Sequence, residues 1–390
     1  MALLCDVDQC SGCLACHNIC PIGAINLVED NQGFIYPKIN AVKCKKCNAC
    51  ESVCPPLNGF NGRNTPINVF AAWRNNESLR AQSASGGIAS CIAEYAVSRG
   101  YVVVGAAITK DLVVRHCVCT TEEQLARLRK SKYVQSFTAD IYISVKKMLS
   151  NGSTVVFFGT PCQCDAVKRV VGEDFDNKLF TIDLVCHGVP SPRYLKEHLL
   201  SFVEELRTVD SYDFRENNKY VFQVDMTNGK KIHIPYPKDS YLYAFMKNVL
   251  DRESCHTCNY SSTSRCSDIS LGDFWGLKSV NTKNVTAEMH KGINAVLINT
   301  TKGLELFNGI KCDVFSEERD LTEVVRYNPF LRPIFKTNEE RFTFRKNYCK
   351  IGFENAVKKL KRKYYLNDLV DFLLKKFKYK FTRTLKLFLK

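Results

Sequence analysis

The chain has 390 residues, 20 of them cysteines, and a formal net charge of +15. That length allows two or three domains, and no segment approaches the roughly 18 uninterrupted apolar residues of a membrane span. The first ten residues, MALLCDVDQC, hold neither a basic stretch nor an apolar run, so a secretory leader and a disulfide framework are not expected, and reduced cysteines serving metals in the cytoplasm are.

In chain order, the first feature is a repeat. Cys10, Cys13, Cys16 and Cys20 precede Pro21, and Cys44, Cys47, Cys50 and Cys54 precede Pro55. Both runs have the spacing with which bacterial ferredoxins hold 4Fe-4S clusters. Three thiolates curl around one cubane and the fourth reaches the other. Cys10, Cys13, Cys16 and Cys54 are therefore expected on one cluster, and Cys44, Cys47, Cys50 and Cys20 on the second. Zinc modules use paired knuckles with a long loop between them, whereas each run here packs four sulfurs into a short stretch. Oxygen-sensitive clusters suggest an anaerobic setting. Residues 1–60 are expected to form this two-cluster domain, and PLNGFNGRNTPI, residues 56–67, the linker out of it.

An alternation of buried strands and helices follows. Strands are predicted over 68–73, 101–108, 113–119, 154–159 and 179–186. Helices are predicted over 87–98, 122–129, 139–149 and 165–171, with Ser85 as an N-cap. This is the pattern of an α/β core. After about residue 208 it becomes α+β. Lys219–Tyr236 reads as a hairpin around Asn228-Gly229, with further strands at 269–271 and 295–299 and a helix at 302–309.

Cys255, Cys258 and Cys266 form a second cysteine group with metal-ligand spacing. The fourth position is open to Cys162, Cys186 or Cys164. Cys162 and Cys186 each follow an apolar strand, where α/β sheets place their sites. An iron–sulfur cluster is expected over zinc because the chain already carries cluster motifs. His256 and His187 are weaker ligand candidates. Cys5, Cys91, Cys117, Cys119, Cys312 and Cys349 lack ligand spacing and are taken as incidental.

From Ala356 to Lys390 there are twelve Lys or Arg against two acids, so this stretch carries +10 of the +15. Its apolar residues recur at three- and four-residue steps between the lysines, as in a basic amphipathic helix. One reading is attachment to an anionic membrane surface or an acidic partner; the other is packing on the chain's own body. Nucleic-acid binding fits the charge, but no recognition motif accompanies it.

Several motifs together resemble the beta subunit of the coenzyme F420 hydrogenases and dehydrogenases, fused to an N-terminal ferredoxin. They are SASGG (Ser83–Gly87), SKYVQS (Ser131–Ser136), GTPCQ (Gly159–Gln163), DLVCHGVPSP (Asp183–Pro192), SCHTCNY with Cys266, and GDFWG (Gly272–Gly276). The resemblance divides the body into an N-terminal region, 68–150, and a C-terminal region, 151–345, and leaves a basic helical tail, 346–390. It implies a mixed α/β flavin-binding catalytic domain in which FAD sits beside a third 4Fe-4S cluster, with Cys162 as that cluster's fourth ligand. The glycine-rich turn Ser83, Ser85, Gly86, Gly87 before a helix has the form of a phosphate cradle. The resemblance also makes Lys132, Gly159, Thr160 and Gln163 flavin contacts. No catalytic acid or base is assigned.

The expected function is an iron–sulfur flavoprotein oxidoreductase. Electrons from an external one-electron donor, such as ferredoxin or a partner oxidoreductase subunit, would pass through the clusters to a flavin that exchanges a hydride with a small organic substrate. Relatives of this type also occur beside polysaccharide-biosynthesis genes, so that context is an option. The alternative is an electron-transfer subunit of a larger hydrogenase- or dehydrogenase-type complex without independent catalysis. The expected location is the cytoplasm, with peripheral membrane attachment through the tail as an option.

Overall fold

The cysteine repeat is written into the backbone. In a computed structural model, which describes residues 4–60, 64–280, 285–333 and 338–365, each run curls through two left-handed residues flanking its second cysteine. These are Gly12 (φ 65°) and Leu14 (φ 63°) in the first run, and Lys46 (φ 56°) and Asn48 (φ 59°) in the second. A short helix follows each curl, Ala15–Ile19 and Ala49–Ser52. Strands β1 (Ile25–Glu29) and β2 (Ile35–Ile39) pair antiparallel between the two runs, with Ile25 opposite Ile39.

The body is built on β3 (Asn68–Arg74), β4 (Val102–Ile108), β5 (Val114–Cys119), β6 (Val155–Gly159) and β7 (Leu179–Leu184). Then come β8 (Val209–Glu216), β9 (Lys219–Met226), β10 (Lys231–Pro235), β11 (Ile269–Asp273), β12 (Asn294–Ile298) and β13 (Val314–Glu318). Eight of them form one sheet in the order β13-β3-β12-β11-β7-β6-β4-β5. Its centre, β4, β6, β7 and β11, is parallel. Val155, Val156 and Phe157 are fully buried, as expected for a strand covered on both faces. Helices Ile141–Ser150 and Pro161–Val171 cover one face, and Ile88–Ser98 and Thr301–Asn308 the other.

The direction of the strands places the site. β12 runs antiparallel to both β11 and β3, so β3 points the same way as β11, β7 and β6. The carboxyl ends of these four strands share one edge of the sheet, the edge at which open α/β sheets bind ligands.

A second sheet, β10-β9-β8, is antiparallel. The predicted hairpin is present, with Gly229 at φ 83° in its turn, where a side chain would be strained. This sheet shares a core with helices Pro192–Leu200, Ser240–Met246 and Glu340–Ile351 and with the helical residues 353–365. Phe353, Ala356, Val357 and Leu360 are buried there. This stretch of the basic C-terminal segment thus packs on the chain's own body, one of its two expected readings. The expected amphipathic stretch 366–390 lies outside the described residues. No helix among the described residues is long and apolar enough to cross a membrane.

His198 ties the helical residues 353–365 to this core. Its ring lies 2.8 Å from Asp239 and 2.6 Å from Glu354. Burial opposes the charge on His198, but the two carboxylates outweigh it and hold its pKa above the ordinary histidine value. A group raised in this way stabilises the fold fully below the unfolded histidine pKa, and the contribution is lost as pH rises through the folded value. The unfolding midpoint should therefore fall as the solution is taken from neutral to alkaline. The loss should be about 1.5–3 kcal/mol, the usual worth of a hydrogen bond to a charged group. Thermal unfolding followed against pH checks this, and His198→Gln should flatten the profile over that window.

Candidate iron–sulfur relay site

The structure gathers the cysteines into three sets. In the first, burial raises the Cys16 thiol, and the neighbouring thiols that raise it further are Cys13, Cys10 and Cys54. In the second, Cys20, Cys44, Cys47 and Cys50 line one small cleft. Backbone N–H groups point at the second set's sulfurs: Ala24 donates to Cys20 Sγ at 3.2 Å and Lys46 to Cys44 Sγ at 3.4 Å. Such bonds stabilise a thiolate and raise the potential of the cluster it holds.

Cys5, taken as incidental from its spacing, lies beside Cys10 and Cys54 and is raised by them. Its proximity, against burial and with Arg252 nearby, lowers the Cys10 thiol to about 6.

The third set lines a cavity of about 460 Å³. Cys162 stands in the first turn of the helix after β6, Cys186 two residues beyond β7, and Cys255 and Cys258 in and just after the turn Glu253–Thr257. Burial raises all three of Cys162, Cys186 and Cys255, with Cys162 pushed up to about 12, and neighbouring thiols add to the effect: Cys13 and Cys258 for Cys162, Cys162 and Cys258 for Cys186, and Cys258 and Cys186 for Cys255. Cys266 does not join them. Its buried thiol donates to the Pro161 carbonyl at 3.4 Å, and the cavity lining includes Cys186 instead. Cys164 is turned to the Ile182 carbonyl in the helix–strand core.

Among the described residues no three His, Cys, Asp or Glu side chains converge closely enough to share one metal ion. In a cubane each thiolate takes its own iron, so four sulfurs need to ring the cluster and not to meet at a point. Cys162, Cys186, Cys255 and Cys258 all line the one cavity. His187 also lines the cavity, between the rings of Phe245 and Phe330, and burial lowers it to about 4, so it is neutral. His256 lies outside the lining.

The ferredoxin module forms one wall of this cavity through Ser11, Pro55 and Pro56. Ser11 lines this cavity with Cys162 and lowers the thiols of both Cys13 and Cys162 slightly against burial, so the first and third sets face each other across this residue. The body holds the first cysteine loop carbonyl by carbonyl. Arg252 and Ser254 bind Cys10 O at 3.3 and 3.1 Å, and Gln135 binds Ser11 O and Gly12 O at 3.3 and 3.2 Å. Thr138 and Tyr142 bind Cys13 O at 3.1 and 2.9 Å. Gln135 lies in the SKYVQS motif; Arg252 had no sequence signal.

The expected flavin contacts lie along the carboxyl edge in separate groups. Ser83, Ser85, Gly86 and Gly87 lie in the turn between the short helix Glu77–Ala81 and helix Ile88–Ser98. A Cβ on Gly86 would come 2.7 Å from Ala72 O and 2.8 Å from Asn294 N, so only glycine fits. The free N–H of Ile88 is met by Asn294 Oδ1 at 3.3 Å. Gly159, Thr160 and Gln163 stand at the end of β6, three strands away across β12, β11 and β7. Thr160 and Gln163 form a capping box there, which starts the helix at Pro161, four residues before the predicted start. Thr160 Oγ1 lies 3.1 Å from Cys162 Sγ. Lys132 is directed to its own loop and donates to the carbonyls of Arg127, Arg129 and Lys130 at 3.2, 2.5 and 3.3 Å. Burial lowers it to about 8 despite Asp213. Arg215, from β8, joins two motifs that the sequence left unconnected: it donates to Ala84 O at 2.8 Å and lies 3.6 Å from Asp273.

Comparison with known proteins matches three stretches of the chain to family profiles. Residues 9–57 match the family profile described as 4Fe-4S dicluster domain. Residues 69–141 match the profile for the N-terminal part of the coenzyme F420 hydrogenase/dehydrogenase beta subunit, and residues 152–324 match the profile for its C-terminal part. The F subunit of the F(420)H(2) dehydrogenase from Methanosarcina mazei is 26% identical over 369 residues, covering 90% of this chain and 96% of that one. A chain in a xenon-derivatised structure of the F420-reducing NiFe hydrogenase complex from Methanosarcina barkeri is 20% identical with a TM-score of 0.46, covering 78% of this chain and 94% of that one. The polysaccharide context finds no support in these matches.

Proposed function

Because the chain belongs to the family of coenzyme F420 hydrogenase/dehydrogenase beta subunits, we propose that it is the iron–sulfur electron-transfer subunit of a larger oxidoreductase assembly, as the names of its relatives suggest. The observation that carries this is the alignment of the cysteine sets. Cys20, Cys44, Cys47 and Cys50 line one small cleft at which Cys47 is exposed, and Ser11 of the first run lines the cavity of Cys162 at the sheet's carboxyl edge. Clusters held at these three places would carry single electrons, and a flavin would exchange them for hydride. Cys162, Cys186, Cys255 and Cys258 would hold the third cluster. The body's part is to fix the distance between its cysteines and the first loop.

A second reading, a self-contained flavin reductase acting on a small molecule, draws on the same edge. Ser83–Gly87, Gly159–Gln163 and Gly272–Gly276 all lie along it, and an extended dinucleotide such as FAD could span them. The two readings separate on activity. After anaerobic purification the chain should carry about twelve iron atoms, four for each of three cubanes. Its viologen-linked turnover of coenzyme F420 should be far below that of the same chain co-purified with partner subunits. An isolated chain that works as fast as the assembly would overturn the electron-transfer reading.

A further inference from the structure

The ferredoxin module has one face turned to the body and one turned to solvent, and the outer face is not neutral. Between Lys38 and Glu51 four lysines stand against one carboxylate. Lys38, Lys43, Lys45 and Lys46 are all exposed, and none forms an ion pair among the described residues. Cys47 of the second cluster set is itself exposed. Beside it Val42 is 97% exposed and Ile22 is 36% exposed. Exposed apolar residues at a redox centre, surrounded by unpaired like charges, make a small patch that can exclude water briefly while the charges orient the approach.

Resting on the electron-relay reading, we propose that this face docks a small acid-faced one-electron carrier protein, with electrons crossing at the cluster held by Cys20, Cys44, Cys47 and Cys50. The charge favours an acidic partner, and the size of the patch favours a transient encounter over a permanent interface. The first cysteine loop is not available for this, because its carbonyls from Cys10 to Cys13 are already bound by the body. Steering of this kind acts on the association rate and weakens with salt.

The test uses the full chain with its clusters in place. Stopped-flow absorbance follows electron transfer from a dithionite-reduced, acidic two-cluster ferredoxin and, separately, from the methyl viologen radical. The second-order rate with ferredoxin should drop about tenfold or more between low and high ionic strength, as steered encounters do. The double variant Lys38→Glu with Lys43→Glu should be slow with ferredoxin at low salt, while its iron content and its rate with viologen match the native chain. A native ferredoxin rate that is flat or rises with salt would overturn the docking face, and this measurement needs no variant. Clusters that accept no electrons from viologen would instead overturn the relay reading on which the proposal rests.

Discussion

Replacing Arg252 with alanine should destabilise the chain by about 4 kcal/mol and loosen the ferredoxin module from the body. The guanidinium is fully buried. It donates to Gln135 Oε1 at 3.1 Å, Cys10 O at 3.3 Å and Ile35 O at 2.6 Å, and lies 5.1 Å from the Phe34 ring centre and 4.3 Å from that of Tyr36. Alanine would strand these acceptors in a buried place, at about 1–3 kcal/mol for each left unpaired, and would remove the cation from two aromatic faces. Water entering the gap and the remaining Ser254 bond to Cys10 O offset part of the cost, hence a net figure near the lower half of the sum. The functional result should exceed the stability result. The Cys13–Ser11–Cys162 contact depends on the same loop, so electron transfer from the ferredoxin module to the third cluster should slow while iron content stays near native. Chemical unfolding and freeze-quench electron paramagnetic resonance of partially reduced protein check the two parts. Arg252→Lys keeps the charge but not the fork, so it should recover some stability and little of the contact. A variant within about 1 kcal/mol of native, with unchanged transfer between the clusters, would rule out Arg252 as the clamp.

What the sequence disclosed follows from how local each signal is. The two cysteine runs carry their spacing in a dozen residues apiece, so the dicluster domain was legible in the sequence. The central strands were legible because burial on both faces leaves continuous apolar runs, as in Val155–Phe158. The third set was only half legible. Cys255 and Cys258 are neighbours, but Cys162 and Cys186 reach them through the parallel order of β6 and β7, which periodicity does not reveal. Cys266 shares the local spacing, yet the chain turns its thiol to the Pro161 carbonyl. β13 was missed because VFSEE is a short, polar edge strand. The helix begins at Pro161, ahead of the apolar periodicity that marks its interior, because Thr160 and Gln163 cap its first turn. Arg252 and Arg215 gave no sign, since a lone arginine in a sequence is more often a solvated one, and only their burial marks them as clamps.

The sharpest test of the third set is a pair of substitutions with opposite outcomes. Cys186→Ala should lower iron by about four atoms per chain, one cubane, and leave the two ferredoxin clusters in place. Cys266→Ala should leave iron at the native level, because that thiol points to a backbone carbonyl and not into the cavity. Spacing alone favours the reverse, since Cys266 follows Cys255 and Cys258 in one short segment. The physical case for Cys186 is its position. It lies just past the carboxyl end of β7, beside Cys162 at the end of β6, and its neighbouring thiols are Cys162 and Cys258. Cys266 has none of the other cavity thiols among its principal electrostatic neighbours, which are Asp183, Asp165, Arg265 and Lys168. Removing Cys266 leaves a small hole in the core, at about 1–2 kcal/mol, so the variant should fold and can be read. Cys258→Ser serves as the control, and should match Cys186→Ala in iron and in the loss of one reducible cubane signal. Iron that falls with Cys266 and holds with Cys186 would put the cluster on the linear motif, and the ring of four cavity thiols would then be a feature of packing alone.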